Sequence, residues 1–263
     1  MLYTEVDGHG PRLVLVHGFT QTSQSWGPVG ASLVTDHQVV RVDAPGHGRS
    51  GPACPMPAAA EQVAEAGGRA VYLGYSMGAR LCLHLALTDP GLVSALILVG
   101  GTAGIEDPAE RQRRQLADRA LADQLERVGL GAFLHQWLAN PMFADLDPTA
   151  AGLRHRLENT VQGLAASLRL AGTGAQDSLW ERLPELAMPV LVVAGERDTK
   201  LPVSRAMAAA IGDNAVLALV TGTGHAAHLE SPGGFVGVVR PFLQWTECFG
   251  GEAFEGLSGV GAL

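Results

Sequence analysis

Gly74-Tyr75-Ser76-Met77-Gly78 constrains this chain more than any other stretch. A short apolar run, 70–73, leads into it, and a helix-like run, 79–88, leads out. A strand that turns sharply into a helix leaves no room for side chains beside the residue at its tip, so glycines flank that residue. The turn lifts Ser76 Oγ above the sheet and points backbone N–H groups at the reacting atom. As a bare pattern G-x-S-x-G is weak, because a glycine-flanked serine after a strand is usually only a turn. Between a strand and a helix, with partners downstream, it is specific.

The partners are present. Residues 189–194 read as a short, β-branched, buried strand, and Gly195-Glu196-Arg197-Asp198 follows at its carboxyl end. A second strand-like run, 215–220, precedes Thr221-Gly222-Thr223-Gly224-His225. A serine hydroxyl needs an imidazole within hydrogen-bond reach and a carboxylate to fix that imidazole's tautomer. The order Ser76, Asp198, His225 is that of the α/β-hydrolase triad, and each residue follows a strand, where open α/β sheets gather their sites. Glu196 competes for the acid position, with Asp198 preferred. Arg197 reads as a structural ion-pair partner. His228 lies three residues after His225 on a Gly-rich loop. A zinc pair needs i,i+4 spacing on a helix around a glutamate, so no metal is expected and His228 reads as a packed residue.

Strands also fit 12–16, 38–43 and 94–99, and a helix fits 58–66. Strands alternating with helices imply a mostly parallel, doubly wound sheet. The rhythm then breaks, and helical patterns occupy 107–128, 130–138, 150–170 and 176–183. The predicted architecture is an α/β-hydrolase fold with a core of residues 1–103 and 186–249. A helical cap of residues 104–185 is inserted into it, and residues 250–263 form a Gly-rich, frayed tail. Gly46-His-Gly-Arg-Ser-Gly51 matches G-x-G-x-x-G, but Pro52 and Pro55 follow, so it is a turn and binds no dinucleotide. His17-Gly18-Phe19 gives the backbone freedom to aim the Phe19 N–H at an oxyanion, alongside the Met77 N–H. His17 itself reads as a hydrogen-bonded loop residue.

Three cysteines, Cys54, Cys82 and Cys248, make no disulfide framework. The start of the chain lacks the basic and apolar segments of a signal peptide, and no apolar run approaches a membrane span, so a cytoplasmic protein without membrane insertion is expected. A net charge of −8 disfavours nucleic acid as a partner. No cofactor is implied, and the oligomeric state is left open. An anionic substrate would need concentrated arginines. Nine of the 18 Lys+Arg fall in 104–185: Arg111, Arg113, Arg114, Arg119, Arg127, Arg154, Arg156, Arg169 and Arg182. Most fit solvated helix faces. Arg80 differs, since it lies one helical turn after Ser76 on the same face, poorly placed for an apolar ester and well placed to fork onto a carboxylate.

Gly74-Tyr-Ser-Met-Gly-Ala-Arg80 resembles the elbow of the 2-succinyl-6-hydroxy-2,4-cyclohexadiene-1-carboxylate synthases of menaquinone biosynthesis. The resemblance continues through Glu110-Arg-Gln-Arg-Arg-Gln-Leu-Ala-Asp118, Phe133-Leu-His-Gln-Trp137, Asn140-Pro-Met-Phe-Ala-Asp-Leu146 and Arg156-Leu-Glu-Asn159. Gly195-Glu-Arg-Asp-Thr-Lys200 and Gly224-His-Ala-Ala-His228 complete it, so that it spans about 13–242. It implies a lyase that abstracts a ring proton from 2-succinyl-5-enolpyruvyl-6-hydroxy-3-cyclohexene-1-carboxylate and eliminates pyruvate. Ser76, activated by His225 and Asp198, would act as base without an acyl-enzyme. Arg80, Arg114 and Arg156 answer to the family's carboxylate binders, and Tyr75, Trp137 and Phe143 to pocket positions. The family's aromatic pair is here Trp137-Leu138, which removes a tyrosine hydroxyl, and the segment from Ser50 to the elbow is short. A serine hydrolase of carboxylic esters or C–C bonds is the alternative reading, and a silent binding module a third.

Overall fold

The structure is a computed structural model and describes residues 1–249. The expected tail at 250–263 lies outside the described residues. Seven strands form one sheet: β1 (Thr4–Asp7), β2 (Arg12–Val16), β3 (Gln38–Val42), β4 (Ala70–Tyr75), β5 (Val93–Val99), β6 (Val190–Gly195) and β7 (Ala215–Val220). Their spatial order is β1-β3-β2-β4-β5-β6-β7. From β3 to β7 every pairing is parallel, and only the edge strand β1 runs antiparallel, against β3.

The helices are α1 (Gly27–Leu33), α2 (Met56–Gly67), α3 (Met77–Thr88), α4 (Pro108–Val128), α5 (Leu130–Leu138), α6 (Leu153–Arg156), α7 (Val161–Ala171), α8 (Leu201–Ile211), α9 (Ala227–Glu230) and α10 (Pro232–Phe249). Successive side chains of a strand point to opposite faces, so the central strands feed two cores. Val14, Val16, Tyr72, Leu96 and Leu98 pack with α2, α3 and α8 through Val63, Leu81 and Met207. Leu13, Leu15, Leu73, Ile97 and Val193 pack with α1 and α10 through Leu33, Phe235 and Phe242. Both faces of the sheet are therefore covered, which is why its strands read as continuous apolar runs rather than alternating ones.

A third, smaller cluster lies between β5 and β6 in the chain. Ala122 and Leu125 of α4, Phe133 of α5, and Leu164, Ala165 and Leu168 of α7 close on one another. Its inner rim touches Phe19 and Trp137. The helical segment thus has its own core and meets the sheet at the carboxyl ends of the parallel strands, where Phe19 stands.

Several elements differ from the sequence expectation. β1 was unforeseen because Thr4-Glu-Val-Asp7 is half-exposed and acidic, with one apolar residue to mark it. The pattern at 150–170 predicts one helix, but the chain makes a single turn, α6, then breaks before α7. The Asn159 side chain donates to Thr20 O and Arg156 O, both at 2.9 Å. Thr160 then caps α7 by accepting from Gly163 N at 3.0 Å. At 176–183 no helix starts from Gln176; residues 177–179 are irregular and a 3-10 turn follows at Trp180–Glu185, while the Gln176 side chain accepts from Arg80 Nη1 at 3.2 Å.

Candidate active site

Ser76 sits between β4 and α3 at φ +52°, ψ −103°. A side-chain-bearing residue rarely holds positive φ, and such strain persists only where surrounding packing imposes it. Its neighbours show what imposes it. A Cβ on Gly74 would lie 2.3 Å from Gly78 O, and one on Gly78 only 2.0 Å from Val16 O. The two glycines let β4, α3 and the end of β2 converge on the serine.

His225 Nδ1 lies 2.9 Å from Asp198 Oδ2, and His225 Nε2 lies 3.4 Å from Ser76 Oγ. An ionised carboxylate only accepts, so Nδ1 carries the proton and Nε2 is left to accept from the serine hydroxyl. The 3.4 Å contact lies at the long end of the hydrogen-bond range. Burial lowers the His225 pKa, with the Asp198 hydrogen bond opposing the shift. Burial pushes the Asp198 carboxyl up, but the bonds from His225 and the Lys200 N–H outweigh it and the net direction is down. The neutral imidazole and the carboxylate are the stable pair.

Glu196, the rival acid, accepts from Gly222 N at 2.9 Å and does not bond His225. Arg197 pairs with Asp145 at 3.1 Å, tying the loop after β6 to the helical segment. His17 is buried in the loop after β2. Its Nε2 accepts from Ala44 N at 2.9 Å, which leaves Nδ1–H to donate to Gly18 O at 2.8 Å. His228 packs on Tyr75 and Trp26, with ring centroids 4.2 and 4.7 Å away. Among the described residues no cluster could hold a metal ion. The Gly46–Gly51 stretch is a turn closed by Gly46 N donating to Gly51 O at 2.8 Å.

A cavity of about 470 Å³ opens over Ser76. It is lined by every predicted binding residue: Phe19, Met77, Tyr75, Arg80, Arg114, Arg156, Trp137 and Phe143. The Phe19 N–H has no acceptor among the described residues, and the Met77 N–H is the first of α3, a position with no intrahelical partner. Phe19, Trp137 and Phe143 form an aromatic wall, with centroids 5.2 Å apart for the first pair and 5.9 Å for the second. Trp137 Nε1 is buried and has no hydrogen-bond partner among the described residues.

The cations are unusual in their partners. Arg80 is 7% exposed, and its Nη1 donates to Ala171 O at 3.0 Å and Gln176 Oε1 at 3.2 Å. Arg156 is 1% exposed and donates to Ala151 O at 2.7 Å and to Thr20 Oγ1. Among the described residues neither forms an ion pair. Burial lowers each to about 10, so both stay charged near neutrality. Arg114 bonds Asp118 Oδ1 at 2.7 Å through Nε and retains its terminal nitrogens. Lys200 also lines the cavity.

Three contributors escaped the sequence reading. Thr20, at φ +67°, anchors Arg156. Glu230 holds the His225 loop by accepting from Gly224 N and from Ala226 N at 2.9 Å. Lys200 ends the Gly195–Lys200 stretch, in which the sequence pattern marks only Asp198 as catalytic. For Thr20 the chain offers no local signal, since its partner Arg156 lies 136 positions away, whereas Glu230 acts within its own loop, on N–H groups four and six positions before it.

Residues 13–238 match the Alpha/beta hydrolase family. A Salmonella schwarzengrund (strain CVM19633) 2-succinyl-6-hydroxy-2,4-cyclohexadiene-1-carboxylate synthase is 32% identical over 89% of this chain and 94% of its own. A Bacillus subtilis (strain 168) protein that carries the same name provisionally is 35% identical over 88% of this chain and 89% of its own. Among solved structures, MenH from S. aureus superposes with a TM-score of 0.86 at 27% identity, over 94% of this chain and all of that one.

Proposed function

The chain belongs to the alpha/beta hydrolase family and, within it, to the 2-succinyl-6-hydroxy-2,4-cyclohexadiene-1-carboxylate synthases, carbon–oxygen lyases on that fold; from this premise we propose that it eliminates pyruvate from 2-succinyl-5-enolpyruvyl-6-hydroxy-3-cyclohexene-1-carboxylate, a step of menaquinone biosynthesis. One observation carries the reading. Four cations line the cavity (Arg80, Arg114, Arg156 and Lys200) against one carboxylate, Asp118, leaving three net positive charges in a chain of net charge −8. The proposed substrate has three carboxylates. An unpaired buried cation costs about 3–5 kcal/mol relative to a paired one. Arg80 and Arg156 therefore favour an anionic ligand that supplies the missing partners, and arginine does so with bidentate geometry.

The chemistry follows from the substrate's own bonds. The ring C–H beside the succinyl ketone is acidified by that carbonyl. Ser76 Oγ takes this proton while passing its own to His225 Nε2, and Asp198 steadies the imidazolium. The electron pair left behind moves into the ring, the ring double bond shifts by one position, and the C–O bond to the enolpyruvyl group breaks. The departing enolate takes a proton and becomes pyruvate. Charge building on the ketone oxygen is held by the Phe19 and Met77 N–H groups, each contributing about 3 kcal/mol to a charged transition state. No acyl-enzyme forms, because the carbonyl is enolised rather than attacked. The 470 Å³ cavity and its aromatic wall suit a substituted six-membered ring.

The test pairs two assays. Pyruvate release from the enolpyruvyl cyclohexene substrate is measured beside p-nitrophenyl acetate cleavage. Rapid pyruvate release that disappears in Ser76→Ala is expected. Serine-dependent ester cleavage with no pyruvate would move the chain to the hydrolases.

A further inference from the structure

Lys200 follows the triad carboxylate by two residues, where its backbone N–H donates to Asp198 Oδ1 at 2.9 Å. That bond fixes the start of α8 and turns the lysine side chain to the cavity that Arg80 and Arg114 also line. Among the described residues its ammonium has neither a hydrogen-bond acceptor nor a carboxylate at ion-pair distance. An ammonium held beside two guanidinium groups with no anion of its own is unfavourable without a ligand. We infer that Lys200 binds a substrate carboxylate directly, as the third cation of an Arg80–Arg114–Lys200 pole that receives two carboxylates while the Arg156 end receives one. The inference rests on the tricarboxylate reading of the cavity and assigns its two ends.

The charge distribution supports the division. Arg80, Arg114 and Lys200 influence one another, and Asp118 offsets one of them through Arg114. Arg156 instead faces Tyr75 and His228, with Thr20 and Ala151 as its anchors. The groups facing Lys200 are Asp198 and His225 of the triad and Arg114 and Arg80 of the pole. Burial, reinforced by the two arginines and opposed by Asp198, lowers its ammonium to about 8. A carboxylate bound there would restore the charge. Arg80, lowered by burial only to about 10, stays cationic above that pH, so between these two the lysine is the one whose charge changes first as pH rises.

Propane-1,2,3-tricarboxylate is the probe, and its binding is measured by calorimetry to the wild type, Lys200→Met and Lys200→Arg at pH 7.0 and 8.5. Lys200→Met should weaken binding by about tenfold or more, and Lys200→Arg should stay within about threefold of the wild type at pH 7.0. Wild-type affinity should fall between the two pH values, and Lys200→Arg should lose that dependence. A merely structural lysine would leave the pH response unchanged. The ligand-free Lys200→Met protein should melt no lower than the wild type, and Lys200→Gln serves if the methionine variant does not fold. Equal affinity in wild type and Lys200→Met, an unchanged pH response in Lys200→Arg, or no binding to the wild type overturns the inference. Pyruvate release is scored separately. Lys200-dependent binding without pyruvate would defeat the lyase reading alone, and pyruvate release without Lys200-dependent binding would defeat only this one.

Discussion

At the scale of single residues, the site holds the serine base under backbone strain and leaves two buried arginines without ion-pair partners among the described residues. Ser76 holds φ +52° because the glycines around it let three backbones converge. Ser76→Ala should lower pyruvate release by about a thousandfold or more, since a triad acts as a unit. Its melting temperature should stay near the wild-type value, which circular dichroism checks. Arg80→Met and Arg156→Met should each raise KM for the tricarboxylate by about 10- to 100-fold, with a smaller effect on kcat. Wild-type KM in both variants would refute the carboxylate clamp. The base also sets a pH dependence. His225 works when neutral, and its pKa is lowered from the ordinary 6.5 by burial. The kcat/KM profile should therefore hold near pH 7 and fall on the acid side, below pH 6.5, as the imidazole takes a proton. A profile flat down to pH 4 would contradict this assignment.

At the scale of elements, the turn between β4 and α3 depends on absent side chains. Gly78→Ala would drive a Cβ to 2.0 Å from Val16 O, a backbone atom that cannot swing away. We expect a loss of about 3 kcal/mol or more, or no folded protein, in urea unfolding. Gly131→Ala in α5 is the control. Nothing lies within 4 Å of its added Cβ, so it should stabilise by about 0.5 kcal/mol through helix propensity. The parallel strands were legible in sequence because sheets covered on both faces are built from short β-branched runs, as at Val190–Gly195. β1 was not, because an edge strand needs few apolar residues and is chosen by its pairing with β3. The break between α6 and α7 was equally hidden. Helical periodicity continues through it, and what ends the helix is Asn159 reaching Thr20, 139 positions away in the chain. The motif order revealed the sequence positions of Ser76, Asp198 and His225, while Thr20 matters only through tertiary placement, against Arg156 and Asn159.

At the scale of the molecule, the sheet aligns β2, β4, β6 and β7 so that Phe19, Ser76, Asp198 and His225 emerge at the carboxyl ends of the parallel strands. The helices between β5 and β6 lay arginines over them. A chain of net charge −8 thus encloses a cavity of opposite sign, which no overall charge count could reveal. The consequence is linkage. A tricarboxylate at 100 times its Kd should stabilise the fold by about 2.7 kcal/mol, raising Tm by about 5–11 °C. Its trimethyl ester should give no such shift in differential scanning fluorimetry, and equal shifts would show that charge does not drive recognition. No described helix is long and apolar enough to cross a membrane. The most direct test of the central claim is single-turnover pyruvate release from the enolpyruvyl substrate carrying deuterium at the ring carbon beside the ketone. Ser76-dependent release slowed severalfold by deuterium is the expected result. A covalent acyl adduct on Ser76 formed from the substrate, or no pyruvate from a folded wild type, would contradict proton abstraction and elimination.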